Sequence, residues 1–253
     1  MIRAATVAVL VLLTASCAST AKRTSAETML NLRMATVLLR EGRCADAEKA
    51  YRDVLHDDAK NLDAHDGLGV SLLCQGEPRG ALDSFTQAVK LASEKPLYRI
   101  HRGMAYMQVA QYKEAEEDFK WAESSTNPEV HLDLAIQRGR LRQLQGDFAG
   151  AESSFAEALS RDPKNFSATL GRGVAREAQG KLEPAAQDYL DGVKLEPKNA
   201  EANLRLGLAL VSLHREALGR RYLERTVELD PLGEPASKAR LILESLGPEA
   251  RKQ

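Results

Sequence analysis

Cysteine, aromatic residues and net charge are all scarce in this chain. Among 253 residues there are three cysteines, aromatics make up 5%, and 35 basic residues nearly balance 36 acidic ones. This balance offers no basic surface to a nucleic acid, so binding to DNA or RNA is not indicated. No alternating strand pattern and no linker rich in proline or serine occurs. We therefore expect one continuous all-α domain.

Patterns that carry chemistry are also missing. Gly67-Leu-Gly69 and Gly171-Arg-Gly173 lack the preceding strand that a phosphate-binding loop needs, and no His-Glu-x-x-His motif occurs. The histidines show no paired metal-ligand spacing and are expected at the surface or in packing; they are His56, His65, His101, His131 and His214. The sequence predicts no enzyme, no catalytic residue, no metal and no cofactor. The acidic run 114–118 is expected on the solvated face of a helix.

What the chain has in abundance is repetition. Small anchor residues recur every 34 residues, or 36 in one interval, and they are Ala35, Gly69, Gly103, Gly139, Gly173 and Gly207. Another small residue follows each anchor by 12, and in five units an aromatic comes four later: Tyr51, Phe85, Phe119, Phe155 and Tyr189. In four units a glycine lies seven residues after the anchor, which suits a helix end that needs positive φ. Each unit therefore predicts two helices, called here helix A and helix B.

This pattern resembles the 34-residue helix-turn-helix unit of tetratricopeptide repeats. The resemblance implies a right-handed superhelical solenoid of six repeats with a C-terminal capping helix. The expected repeats are 28–61, 62–95, 96–129, 132–165, 166–199 and 200–233. Residues 234–253 are expected to form the cap and a tail, because an open solenoid must shield its last repeat, with an apolar stripe of Ala239, Leu241, Ile242 and Leu246. The two extra residues before Leu132 are expected to lengthen the turn at Asn127-Pro128.

The N-terminus is typical of an export signal. Arg3 precedes an apolar run over residues 4–13, and small residues at 14–16 lead to Cys17. The run is shorter than the roughly 20 residues needed to span a membrane. A basic start, a short apolar run and a small-residue site together predict a cleaved secretory signal.

A cysteine after such a site resembles the bacterial lipoprotein signal. The resemblance implies a signal peptide at 1–16, acyl chains on Cys17 and a lipidated tether at 17–27. Several acyl chains make a stable anchor. Ala18 favours the outer membrane, with the protein facing the periplasm. The alternative is an ordinary cleaved signal in which Cys17 is incidental.

The other two cysteines, Cys44 and Cys74, are expected to meet. Cys44 would begin helix B of the first repeat and Cys74 would end helix A of the second, and these helices are antiparallel neighbours. In the oxidising periplasm such a pair tends to form a disulfide. A loop of this length would add about 3–4 kcal/mol in the chain-entropy model. The alternative is two separately buried thiols.

The expected functional surface is the concave groove that helix A lines in a tetratricopeptide stack. The predicted groove residues are Leu32, Val70, Leu73, Ile100, Met104, Met107 and Ile136. Part of this pattern also serves helix packing. A large exposed apolar surface indicates a partner, and methionines adapt to one.

A lipidated chain of six such repeats resembles the type IV pilus pilotins, the Tgl, PilF and PilW group. The resemblance implies an outer-membrane lipoprotein that binds the secretin channel protein and promotes its assembly into a stable multimer, which supports pilus biogenesis and motility. It implies neither nucleic acid nor a small-molecule substrate. The alternatives are a lipoprotein of Tad-type pilus assembly and a periplasmic protease adaptor. An enzyme with accessory repeats would need a further domain, and the repeats and cap already occupy 28–246.

Overall fold

The computed structural model describes residues 25–247, and within them it contains thirteen α-helices and no strand. The helices are α1 Ser25–Arg40, α2 Cys44–Asp57, α3 Leu62–Cys74, α4 Pro78–Leu91, α5 Pro96–Gln108, α6 Tyr112–Ala122, α7 Pro128–Leu144, α8 Phe148–Arg161, α9 Phe166–Ala178, α10 Leu182–Leu195, α11 Ala200–Ser212, α12 Glu216–Leu229 and α13 Glu234–Ser245. The predicted signal and Cys17 lie outside the described residues. Because α1 begins at Ser25, residues 25–27 of the predicted tether are helical.

The helices pair in chain order and stack as a solenoid. Each helix packs on its neighbours in sequence, and helix A of one repeat contacts helix A of the next, as α3 does with α5. This is the predicted architecture of six helix pairs. At the C-terminal end α13 covers α11 and α12, burying Ala236 and Ala239, so the predicted cap is confirmed. Leu241, however, was wrongly placed on the packed stripe, since it points to solvent.

Close packing between the two helices of a repeat explains the anchor glycines. A Cβ atom on Gly139 would lie 2.7 Å from Cε1 of Phe155, and one on Gly173 would lie 2.6 Å from Cε1 of Tyr189. These rings are almost fully buried, so they have no room to move away. The helices can therefore approach only because the anchor lacks a side chain.

The turns between helix A and helix B use a left-handed residue. Gly42, Gly76, Gly146 and Gly180 have φ values from +74° to +79° there. The equivalent residues of the third and sixth repeats are Ala110 and His214, which keep positive φ at 59° and 57° without being glycine. The same turn is thus imposed by the packing of the flanking helices even where the residue disfavours it.

The two extra residues in the third interval are only partly in the turn. Helix α6 ends at Ala122, three residues earlier than the equivalent helices, whereas α7 begins at Pro128, one turn earlier than its equivalents. Proline suits the first turn of a helix, and the Asn127 side chain accepts a hydrogen bond from the amide of Glu129 at 2.9 Å. The extra length therefore mostly extends helix A of the fourth repeat. The predicted lengthening of the turn amounts to a single residue.

A disulfide joins the first two repeats. Cys44, the first residue of α2, is bonded to Cys74, the last residue of α3, with 6.1 Å between their Cα atoms. Beside this bond, Nε2 of Gln75 donates to a carboxylate oxygen of Glu48 at 2.8 Å. Both connections cross the interface between the repeats.

The interface between the fourth and fifth repeats uses only the second of these connections. Gln179 donates to Glu152 at 3.0 Å, in the same register as Gln75 and Glu48. Phe148 and Ala178 occupy the two positions equivalent to the cysteines. The disulfide is thus an addition to an interface that can form without one.

We expect Gly139→Ala to lower the free energy of unfolding by about 1–3 kcal/mol, because its methyl group would overlap the ring of Phe155. Helix propensity alone favours alanine by about 1 kcal/mol, so the sign of the effect separates packing from propensity. The control is Gly80→Ala, where a Cβ would lie 3.3 Å from Cδ1 of Leu72, so a shift of a few tenths of an ångström would relieve the contact. Urea denaturation should show that control unchanged or stabilised. An equally stable Gly139→Ala protein would contradict the packing argument.

We also expect Cys44 and Cys74 to resist alkylation in protein isolated from cell envelopes without reductant. Cys74→Ser should lower the free energy of unfolding by up to about 3–4 kcal/mol. Mass spectrometry of alkylated peptides and thermal denaturation measure the two effects. Two free thiols in the isolated protein would refute the disulfide but would not contradict the predicted fold.

Candidate functional site

In four of the six repeats, position five, counted from the first residue of the repeat, belongs to the core rather than to the groove, whereas Asp66 and Leu170 at this position are only partly buried. Leu32, Ile100 and Ile136 share this position, and all three are buried, Ile100 completely at 0% exposure. Helix B and the next repeat cover that face of helix A. The prediction that Ile100 lines a partner-binding groove was therefore wrong, and Leu32 and Ile136 are core residues too. Met107 is also 92% covered, being 8% exposed, although its edge reaches the groove.

The other predicted groove residues, Val70, Leu73 and Met104, are half-buried on the concave side. A wide concave space lies further along, across the third to fifth repeats. It encloses about 740 Å³ between α5, α7 and α9. Its walls include Met104, Met107, Tyr112, Leu144, Val174 and Arg140. We call this space the central groove. Leu73 is not among its lining residues.

A second apolar surface lies at the N-terminal end and was not recognised in the sequence. Leu30, Met34 and Val37 on α1 are 61%, 53% and 51% exposed. Their spacing places them in one line along the helix. We call these three residues the α1 stripe. The signal was available, because the first helix of an array has no preceding repeat to cover its outer face.

The acidic run 114–118 is not uniformly solvated, which corrects the sequence prediction. Asp118 is 3% exposed and accepts two hydrogen bonds from Arg102, at 2.7 Å each, and one from Arg99 at 3.2 Å. The fifth repeat repeats this arrangement with Asp188 and Arg172. In both repeats the buried carboxylate is hydrogen-bonded across the two helices of the repeat, so we assign these pairs a structural role.

One histidine is tied to an acid across two repeats. Nδ1 of His101 on α5 lies 2.6 Å from a carboxylate oxygen of Asp66 on α3. Burial acts to lower the pKa of His101, but the hydrogen bond and charge of Asp66, with the charge of Asp133, outweigh it and raise that pKa. The charged pair thus links helix A of the second repeat to helix A of the third.

Comparison with known proteins identifies the repeat. Residues 32–96 and 136–194 match the family model described as Tetratricopeptide repeat. Within these residues the chain consists of tetratricopeptide repeats.

A curated relative of this chain is the probable UDP-N-acetylglucosamine–peptide N-acetylglucosaminyltransferase SPINDLY of Hordeum vulgare. The two are 32% identical over 136 residues, which is 52% of this chain but only 14% of the relative. The chain therefore corresponds to a small part of that relative.

Solved structures match over most of this chain. PilW, described as a widely conserved type IV pilus biogenesis factor, has a TM-score of 0.73 at 17% identity and covers 87% of this chain and 100% of its own. PilF of Pseudomonas aeruginosa has a TM-score of 0.67 at 19% identity, covering 85% and 97%. The APC/C hetero-tetramer Cut9–Hcn1 has a TM-score of 0.72 at 20% identity, covering 84% of this chain and 42% of that one. At these identities the likeness shows the fold alone.

Residues 25–247 contain neither a cluster suited to a metal ion nor a helix suited to a membrane. No group of three or more histidine, cysteine, aspartate or glutamate side chains is arranged to hold a metal ion. Over the same residues, no helix has the length and apolar character needed to cross a bilayer. The candidate surfaces of the described tetratricopeptide-repeat region are therefore the α1 stripe and the central groove.

We expect the His101–Asp66 pair to make stability depend on pH. Because the pKa of His101 is raised on folding, the pair's contribution is fully present below the unfolded pKa of about 6.5 and is lost as the pH rises through the folded value. His101→Asn should therefore reduce the decline in unfolding free energy between about pH 6 and 8. Urea denaturation across this range measures it, with the exposed His56→Asn as the control. Identical pH profiles for His101→Asn and the unaltered protein would contradict the assignment.

Proposed function

We propose that this protein is a non-catalytic outer-membrane lipoprotein that binds the secretin of a type IV pilus machine and promotes its assembly into a stable multimer. In this proposal Cys17 carries the lipid anchor and the solenoid faces the periplasm. The secretin docks through apolar side chains, because a helical solenoid has no sheet edge to which a strand could be added.

The observation that carries the proposal is the α1 stripe. Three large apolar side chains more than half exposed on one helix are unusual for a protein surface that meets only water. The stripe lies on the helix that follows Cys17 most closely in sequence. Ser25 is eight positions after Cys17, so the start of the first described helix would lie within roughly 30 Å of the anchor, at about 3.3–3.6 Å per residue.

The match in extent to PilW and PilF supports the proposal further. The match covers 100% of the PilW chain and 97% of the PilF chain, so nearly the whole of each fold has a counterpart in this protein. The sequence resemblance to pilotins, which includes Cys17 and the six repeats, points to the same group. The secretin is therefore the partner that we propose.

We expect Leu30→Asp and Val37→Asp, combined in one chain, to abolish detergent-resistant secretin multimers in cells. Charges on the stripe would be buried without a counter-charge when the secretin docks. Since both positions are exposed in the free protein, folding should change by only about 0.5 kcal/mol per substitution. Immunoblots of envelope fractions measure the multimers, and circular dichroism checks the helical fold.

The matched control is Leu241→Asp. Leu241 is 67% exposed on α13, at the opposite end of the solenoid. This variant should retain the multimers. If the stripe variant is folded and membrane-bound and still supports normal multimers, the stripe is not the secretin surface. Copurification with Tad components or with a periplasmic protease would instead favour the alternatives named above.

The anchor has its own test. Cys17→Gly should fail to incorporate labelled palmitate and should be lost from the outer-membrane fraction, because the lipids provide the attachment. Incorporation is measured by autoradiography and location by membrane fractionation. An unaltered protein that takes up no palmitate would end the lipoprotein proposal without affecting the test of the α1 stripe.

A further inference from the structure

One arginine breaks an otherwise uncharged row along the groove. Residues at position nine of helix A follow one another from repeat to repeat on the concave side. The fourth repeat places Arg140 at this position. The other five repeats place there Thr36, Val70, Met104, Val174 and Leu208. Helix packing alone would be satisfied by an apolar residue here, as its neighbours show, so the charge needs another explanation.

The surroundings of Arg140 contain apolar surface but no carboxylate to pair with it. Its side chain is exposed at the central groove, beside Met104, Leu144 and Val174. Its polar contact is a weak one, 3.4 Å from Nη1 to Oε1 of Gln137. Arg140 is the charged member of the groove lining, and it forms no ion pair with any residue of 25–247.

The nearest acids along the groove are already engaged. Asp133, on the same helix, accepts a hydrogen bond from Gln137 at 3.0 Å. Glu177, on α9, accepts one from the hydroxyl of Tyr189 at 2.5 Å and lies 3.9 Å from Arg205. Both carboxylates thus have other partners among the described residues, and neither forms an ion pair with Arg140.

We propose that the central groove binds an amphipathic helical segment of a partner protein that presents one carboxylate among apolar side chains. The apolar side chains would fill the space of about 740 Å³, which lies in the range of binding clefts. Covering the groove removes water from the guanidinium. An apolar segment without an acid would leave that charge unpaired, whereas a carboxylate can accept a bidentate pair of hydrogen bonds. Arg140 therefore selects acidic segments over neutral and basic ones.

This site is separate from the α1 stripe and does not depend on the secretin. The stripe variants leave Arg140 unchanged, and peptide binding is measured on purified protein without a membrane or a secretin. Failure of one proposal is thus distinguishable from failure of the other.

The probes are three fluorescein-labelled helical peptides of 14 residues. They share leucines at i, i+3, i+4 and i+7 and differ at one residue beside that face, which is aspartate, asparagine or lysine. Fluorescence anisotropy with purified full-length protein measures their affinity. The aspartate peptide should bind at least about tenfold more tightly than the asparagine peptide, and the lysine peptide most weakly. Arg140→Gln should remove the difference between aspartate and asparagine.

Two further variants separate charge from apolar contact. Val174→Ala should weaken all three peptides alike, since it removes apolar surface from the groove wall without changing its charge. Arg79→Gln, at an exposed arginine on α4 outside the groove, should leave every affinity unchanged. Equal binding of the aspartate and asparagine peptides, an unaltered preference in Arg140→Gln, or no saturable binding by any peptide would each overturn the proposal.

Discussion

The structure depends on the contact between an anchor glycine and the aromatic ring that packs against it. The absent side chain sets the distance between helix A and helix B, and the ring fills the remaining volume. Where the last repeat replaces the ring with Leu223, a Cβ on Gly207 would still lie 2.8 Å from its Cγ. The contact is therefore conserved in shape when its chemistry changes. Every other element, including the turns with positive φ, is positioned by it.

This packing also decides which surfaces are left for binding. The side chains at position five are buried in the core in four repeats, with Asp66 and Leu170 partly exposed, so the concave face exposes mainly positions nine and twelve. A solenoid also has two ends, which differ here. The C-terminal end is covered by α13, whereas no other described element covers the outer face of α1, which is apolar. Among the described residues, the exposed surfaces suited to binding a partner are thus the α1 stripe and the central groove.

Much of the fold could be predicted because its signals are local. The intervals between Gly69, Gly103 and the following aromatics specify two helices and their register without reference to distant residues. The burial of Ile100 could not be read in this way, because Ile100 and the groove residue Met104, four residues further on, lie on nearly the same face of the helix. The acidic run 114–118 did not reveal that Asp118 pairs with Arg102, since this contact depends on how α5 and α6 pack against each other. The shift of one turn between α6 and α7 likewise follows from the cap at Asn127, which a count of residues does not reveal.

The disulfide between Cys44 and Cys74 also determines how the molecule responds to mechanical tension. If the two ends of the chain are pulled apart, force passes from one cysteine directly to the other and bypasses the residues between them. The cysteines are 30 residues apart in sequence. The bond therefore prevents this segment from extending by about 100 Å, at roughly 3.4 Å per residue. Most of α2 and α3 would carry no load while the later repeats unfold. A molecule held at its N-terminus would thus lengthen mainly through its later repeats. A reductant would allow the segment between the two cysteines to extend as well.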